Sequence, residues 1–464
     1  MLHKRIRYTL YLILFALPLF GLQCTKGVSQ EVRDASKPIT LNWWSPFNNS
    51  EDVKPIIEAY RAIHPNVTIN FRKFRFEDYE NEVVNALAED RGPDILSLHN
   101  TWIRAWQPKL VAAPKTVTLP YQELKGGLKK EVITVLRTTP TLTTKTARNT
   151  FVEVVGKDVI LPPSTPDGAE ELYGLPMAVD TLALFYNRDI LNLAGIPSPP
   201  ATWGEFQGLM KKLTKLDQEN KIVQAGAALG TARNVERAED ILALLMMQNG
   251  VQMTDERGQA VFDRIPTGLK GRTIAPGEEA LGFYTDFANP GKEVYAWNDT
   301  LPNSLQAFAA GKTAFFFGYS YQLPLLKNLG PKLNFEVTTV PQIEGNKEIN
   351  FANYWVEAVS KKTKAKDFAW DFVQFATNAK QAKGYLERAK KPTALRTLVV
   401  EQSEDFELGS FSKQTLTAQS WYRGKNPSAA EEAILSMIES VNKSEMESKA
   451  AIKLGAQKVN QTLK

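Results

Sequence analysis

Hydrophobic positions near the start of the body alternate between two periods. The runs ITLNWWS (39–45), VTINF (67–71) and DILSL (94–98) are short, aliphatic and strand-like. Between them, Val53, Ile56, Ile57, Tyr60 and Ile63 recur at helical spacing and stop at His64-Pro65, and Tyr79, Val83 and Leu87 mark a second helix closed by Arg91-Gly92-Pro93. Three strands joined by helices predict a parallel sheet with helices on both faces. Such sheets take ligands at the carboxyl ends of their strands, where WWSPFNNS and HNTWIRAW fall.

The pattern weakens from about residue 115 to 170. RTTPTLTTKTARNT (137–150) shows no clear period and reads as irregular or edge structure, while LPPSTPDG (161–168) has the chemistry of a hairpin tip. Next comes YGLPMAVDTLALFYNRD (173–189), an apolar strand pattern broken by Asp180. Two roles are open to that carboxylate: it accepts from backbone donors at a bend, or it faces a cleft. Farther on, Thr202 and Glu205 are spaced as a capping box before the apolar face Phe206, Leu209, Met210, Leu213 and Leu216. AEDILALLMMQNG (238–250) is apolar enough for an internal helix. TAFFFGYSY and FEVTTVP are strands, and AVSKKTKAKDFAWDFVQFAT is a strand, a turn and an amphipathic helix. The last 40 residues are helical, with Ile434, Leu435, Ile438 and Val441 on one face.

At 464 residues the chain exceeds one hydrophobic core, so two lobes are expected. Of the net charge of +5, three units come from Lys4, Arg5 and Arg7, which leaves a near-neutral body and no basic stripe for nucleic acid. Those cations open MLHKRIRYTLYLILFALPLFGLQC, whose apolar stretch spans residues 10–22 and leads to Cys24, the single cysteine. A lone cysteine forms no internal disulfide. Its place resembles the acylated first residue of a bacterial lipoprotein, although Gly21-Leu22-Gln23 departs from the usual lipobox and leaves a plain signal anchor as the alternative. Either way, residues 25–464 lie outside the cytoplasmic membrane. TKGVSQEVRDASKP (25–38) is polar and aperiodic, as a tether would be.

Enzyme signatures are sparse. His3, His64 and His99 stand far apart, and H-E-x-x-H, G-x-S-x-G and G-x-G-x-x-G are absent. AAGKT (309–313) has Gln306 where a phosphate loop needs its first glycine, so it reads as a helix end turning into a strand. No catalytic residue, metal or cofactor is assigned. The positive signal is aromatic: Trp43-Trp44-Ser45, Asn100-Thr101-Trp102, Tyr319-Ser320-Tyr321, Asn353-Tyr354-Trp355 and Ser420-Trp421-Tyr422 combine rings with polar groups at strand ends. A saccharide offers C–H faces to a ring and hydroxyls to its polar neighbours. Trp203 and Trp370 instead sit in amphipathic helix patterns and read as core.

In this order and spacing, HPNVTI, RGPDILSLHNTW, LYGLPMAVDTLALFYNRDIL, AGIPSPPATWGEF, LLMMQNG, AFAAGKTAFFFGYSY, VTTVPQ and WVEAVSKKTKAKDFAWDFVQFAT resemble the family 1 extracellular solute-binding proteins of ABC importers, which include maltose-binding protein. The resemblance spans 38–464 and is poor over 115–165, which reads as a local elaboration. It implies an α/β fold of two lobes of the periplasmic-binding-protein type (type II cluster), each a sheet flanked by helices, with the ligand in the cleft between them. The implied organisation is a signal peptide (1–23), a lipid-anchored tether (24–37), lobe 1 (38–181), lobe 2 (182–352), a return to lobe 1 (353–392) and a C-terminal helical segment of lobe 2 (393–464). Carried over position by position, the ligand-binding residues are Trp44, Ser45, Asn100, Trp102, Asp180, Tyr319, Trp355 and Trp421, with Asp180 at the cleft mouth.

The implied function is capture of a saccharide by a monomer and its delivery to membrane permease subunits, at the outer face of the cytoplasmic membrane or in the periplasm. The alternatives are a polyamine, peptide or sugar phosphate in the same fold, a sensor or adhesin without transport, and a two-carboxylate glycosidase. For a phosphate, Arg104 and Arg188 are the nearby cations.

Overall fold

The structure, a computed structural model, describes residues 29–126, 130–163, 168–269 and 271–463. The leader and Cys24 lie outside the described residues. Residues at the end of the expected tether are ordered locally: Gln30–Ala35 is a short helix capped by Ser29 Oγ, which accepts from the Val32 amide.

The first lobe is built on a four-stranded sheet in the order Trp355–Val359, Ile95–His99, Ile39–Ser45, Val67–Lys73. The three N-terminal strands are parallel and joined by the helices Ser50–Ile63 and Phe76–Ala88. The returning strand pairs antiparallel, which sets Trp355 opposite His99 and Glu357 opposite Ser97. Alternation along the first strand sends Trp43 to one face, against Phe71 and Phe372, and Trp44 to the other, against Phe74.

The second lobe has a five-stranded sheet ordered Lys215–Leu216, Ile222–Ala227, Thr313–Gly318, Ala183–Asn187, Phe335–Thr338. Period 2 again divides its side chains. Phe315 and Phe317 enter the main core with Trp203 and Phe206, whereas Phe316 faces Phe185, Phe308 and Phe411 on the other side. The helix Ala238–Gln248 is buried along its whole length. The capping box forms as spaced, with Thr202 Oγ1 accepting from Glu205 N and Glu205 Oε2 accepting from Thr202 N. That helix, Trp203–Leu213, ends before Leu216, which lies exposed on an edge strand rather than on the helix face.

Two of the crossings between the lobes, Asp180–Thr181 and Asn350–Asn353, pair side by side, and Ala418–Gln419 joins them in a small three-stranded sheet. The last crossing comes later than residue 393, because Ala394, Leu395 and Val399 still pack in the first core. Leu408 and Phe411 have reached the second lobe, and Trp421 and Tyr422 belong to its main core.

The stretch read as irregular or edge structure is an edge ribbon followed by a helix. Thr116–Lys125 pairs with Glu131–Pro140 as an antiparallel ribbon, which takes in residues 137–140, and Thr144–Thr150 is a helix. Threonine favours strands but also caps helices, and here Thr143 Oγ1 accepts from the Thr146 amide and starts the helix that the aperiodic pattern hid. Ile160–Leu161 pairs antiparallel with Glu171–Leu172 on either side of the expected hairpin tip, of which residues 164–167 lie outside the described residues.

Candidate ligand-binding cleft

Between the lobes lies a cavity of about 510 Å³, lined from both sides and from the crossings. Its first-lobe wall is aromatic. The antiparallel return of residues 355–359 brings Trp355 to the carboxyl end of the 95–99 strand, and other rings gather around it. Phe47 lies 5.1 Å away between ring centroids, His99 5.5 Å, Trp102 5.5 Å and Phe76 6.1 Å, mostly edge to face. Trp355 and Phe47 are partly exposed and Phe76 is about half exposed, so the ring faces are open to a ligand.

The floor of that wall is polar. Glu357 is buried and accepts from Trp43 Nε1 (2.7 Å), Ser97 Oγ (2.8 Å) and Asn48 Nδ2 (3.2 Å). Burial pushes its carboxyl up to about 7, against those hydrogen bonds and the charge of Lys391. Asn48 Oδ1 in turn accepts from Tyr385 Oη (2.6 Å) and Lys391 Nζ (3.3 Å), so Lys391, which also lines the cavity, already has a partner.

The second-lobe wall is charged. Arg237 holds a left-handed backbone (φ 54°) at the start of the buried helix, a conformation that costs a non-glycine residue on the order of 1 kcal/mol. Its guanidinium meets Asp240 (2.8 Å), Glu239 (3.0 Å) and Glu431 (3.2 Å). Burial works against the Arg237 charge, but the three acids outweigh it and hold its pKa well above the ordinary value. Tyr319 Oη donates to Asp240 (2.7 Å) and its ring stacks on Tyr321, which lines the cavity and meets Phe47 across the cleft at 6.2 Å.

Asp180 sits where the walls join. It accepts from the Ser320 hydroxyl (2.7 Å), the Ser320 amide (3.0 Å) and the Thr181 amide (2.9 Å), and it also lines the cavity. Burial pushes it up to about 6, opposed by the Ser320 and Thr181 hydrogen bonds and by Lys391. Asp180 therefore combines the two roles open to it in altered form: within a short strand rather than at a bend it satisfies donors of Thr181 and Ser320, and it lines the cleft.

The two-lobe fold agrees with the comparisons. The profile described as bacterial extracellular solute-binding protein matches residues 55–406, which take in most of both lobes. The chain belongs to that family. A galactooligosaccharide-binding protein of Bacillus subtilis is 23% identical over 267 residues, 56% of this chain and 58% of the relative. A binding protein of Brucella abortus is 26% identical over 170 residues, 37% of this chain, and the match spans only 33% of that relative's length. The cyclic alpha-maltosyl-1,6-maltose binding protein of Arthrobacter globiformis shares the fold with a TM-score of 0.69 at 16% identity, over 92% of this chain and 99% of that one.

Within this solute-binding protein, three of the sequence-predicted residues meet at the cavity: Trp102, Asp180 and Trp355. The other five do not line it. Trp44 is buried against Phe74 with Arg72 over its ring, and Ser45 is buried beneath the Asn48 amide, which donates to its hydroxyl. Strand pleating sends these two to opposite faces of the sheet, both into packed surroundings, and the next loop residues, Phe47 and Asn48, line the cleft instead. Asn100 donates to Asp158 (3.0 Å), which also accepts from Tyr354, Ser420 and Arg423 in a buried junction behind the cleft. Tyr319 is fully buried because its hydroxyl is drawn to Asp240. Trp421 packs against Phe262 and Tyr422 and borders two smaller pockets, one of which shares His99, Arg237 and Glu431 with the main one.

Arg188 pairs with Glu336 and Arg104 is exposed, and neither lines the cavity. Trp203 and Trp370 are buried in their cores. Sequence reasoning missed Glu357, Arg237, Phe47 and Lys391. For Glu357 a signal was present: WVEAV places a carboxylate inside an apolar strand, the same anomaly that drew attention to Asp180. Among the described residues no cluster of potential metal ligands occurs.

Proposed function

We propose that this protein binds a saccharide between its lobes and presents it to a membrane permease. The observation that carries the reading is the pairing of walls across one cavity. An open aromatic cluster centred on Trp355 faces a second wall whose charges are already compensated. Rings stack on the C–H faces of a sugar, and Asp180, Glu357, Asn48 and Arg237 exchange hydrogen bonds with its hydroxyls. A sugar phosphate fits less well, since Lys391 and Arg237, the lining cations, are engaged by Asn48 and by acids. The sugar-binding relatives support a saccharide.

Closure proceeds by bending at the three-strand hinge, and ligand favours the closed form by its difference in affinity for the two states. The protein works as a monomer, tethered at the outer face of the membrane through lipid on Cys24, and it turns over no substrate. The basic, apolar leader ending at a lone cysteine supports the anchor. A thermal-shift screen of the chain against mono- and oligosaccharides, amino acids, peptides and polyamines tests the reading. A ligand specific to the folded state raises the melting temperature by mass action. The expected result is a saccharide hit abolished by Asp180→Ala and by Trp355→Ala. Shifts with non-sugars alone would contradict it.

A further inference from the structure

The ribbon Thr116–Lys125 and Glu131–Pro140 takes no part in the cleft: none of its described residues lines the cavity. Its base is firmly seated. Val117 and Leu119 are buried, and the Pro120 carbonyl lies 3.2 Å from His64 Nδ1. Its far end leaves the body. Leu124 and Val132 stand directly opposite each other, hence on one face, and are 69% and 62% exposed. Lys125 and Lys130 flank them, also exposed, with Glu131 opposite Lys125, while Glu123 pairs with Arg137 at 2.6 Å.

A bare apolar pair on a two-stranded ribbon is a liability in water unless something covers it. The path of the chain indicates what does. The helix Gln30–Ala35 packs on both strands of this ribbon, and Asn66 Nδ2 donates to the Lys37 carbonyl just after it, so the N-terminal end is fixed alongside. From Ser29 back to Leu22, the last residue of the apolar leader segment, is seven residues, a reach of at most about 25 Å. A body tethered from that end carries the ribbon on its membrane-facing side.

We propose that the ribbon end is a membrane-contact element. Leu124 and Val132 enter the interfacial zone of an anionic bilayer, and Lys125 and Lys130 meet the phosphate-bearing headgroups. The contact orients the body on its tether. This rests on the tethered reading given above. The charge pattern selects lipid as the occupant, since aliphatic side chains beside two exposed lysines, with Glu131 as the one acid next to them among the described residues of the ribbon end, match an anionic bilayer interface.

Hydrogen exchange on the full chain tests it, in vesicles of 3:1 phosphatidylcholine and phosphatidylglycerol, in pure phosphatidylcholine vesicles, and in detergent micelles. The expected result is exchange slowed about fivefold at residues 121–126 and 130–135 on the anionic vesicles. The double variant Leu124→Asp with Val132→Asp abolishes that slowing, while the saccharide-induced thermal shift is retained. Equal exchange in all three settings, from chain that stays with the vesicles after a high-salt wash, overturns the ribbon's role alone. Chain that washes off overturns the tether and the ribbon together. Slowing that appears only when permease subunits share the vesicle assigns the surface to a protein partner and also overturns the proposal.

Discussion

The two walls of the cleft reach the same cavity by different routes. The first-lobe wall is a set of rings gathered around Trp355, mostly edge to face, over a floor where Glu357 and Lys391 are held by neutral hydrogen-bond partners. The second-lobe wall is a strained arginine held between three acids on the lip of a buried helix. Rings offer a ligand apolar area at small cost in order, whereas the charged wall is expensive to build and is compensated before any ligand arrives. The aromatic wall should therefore dominate affinity and the charged wall should dominate folding.

Removing the arginine separates the walls most sharply. Arg237→Ala leaves Glu239, Asp240 and Glu431 facing one another, and the expected loss is about 3 kcal/mol of unfolding free energy, read by urea denaturation. Next in size is a pH effect at Glu357. Burial raises its folded pKa to about 7 from an ordinary 4.5, so the folded state binds the proton more tightly than the unfolded state does. Stability attributable to this group is lowest above pH 7 and rises as pH falls towards 4.5. The wild-type protein should gain about 2–3 kcal/mol over that window relative to Glu357→Gln, measured by denaturation of both at several pH values.

On the aromatic wall, Trp355→Ala should cost about 2 kcal/mol of binding, roughly thirtyfold in Kd, with a much smaller change in stability than Arg237→Ala causes. The smallest effect sharpens the assignment of the wall. Trp44 packs on Phe74 away from the cleft, so Trp44→Phe should leave Kd within about twofold by fluorescence titration.

Much of the frame was legible in the chain because local signals and tertiary demands agree there. The strands and helices of residues 39–99, the capping box at Thr202, and the internal helix all follow from periodicity and caps. The ribbon and the helix at Thr144–Thr150 were not legible, since a threonine-rich run serves strand, cap and turn alike. Of the residues read as ligand-binding, Trp102, Asp180 and Trp355 line the cavity, whereas strand-end position also selected Trp44, Ser45, Asn100, Tyr319 and Trp421, which do not line it. A sheet covered on both faces gives every strand two buried sides, so a polar-flanked ring has two ways to be core. Tyr319 and Tyr321 show this within three residues: one hydroxyl is drawn inward by Asp240, and the other ring is left in the cleft. Arg237 carried no periodic signal, because its position depends on a backbone conformation rather than on a face.

The most direct test is isothermal titration of neutral saccharides into the wild-type protein and into Trp355→Ala and Trp44→Phe. The account predicts micromolar binding of a saccharide, about −8 kcal/mol, weakened roughly thirtyfold by Trp355→Ala and unchanged by Trp44→Phe. Equal affinity in the wild-type protein and Trp355→Ala would contradict it.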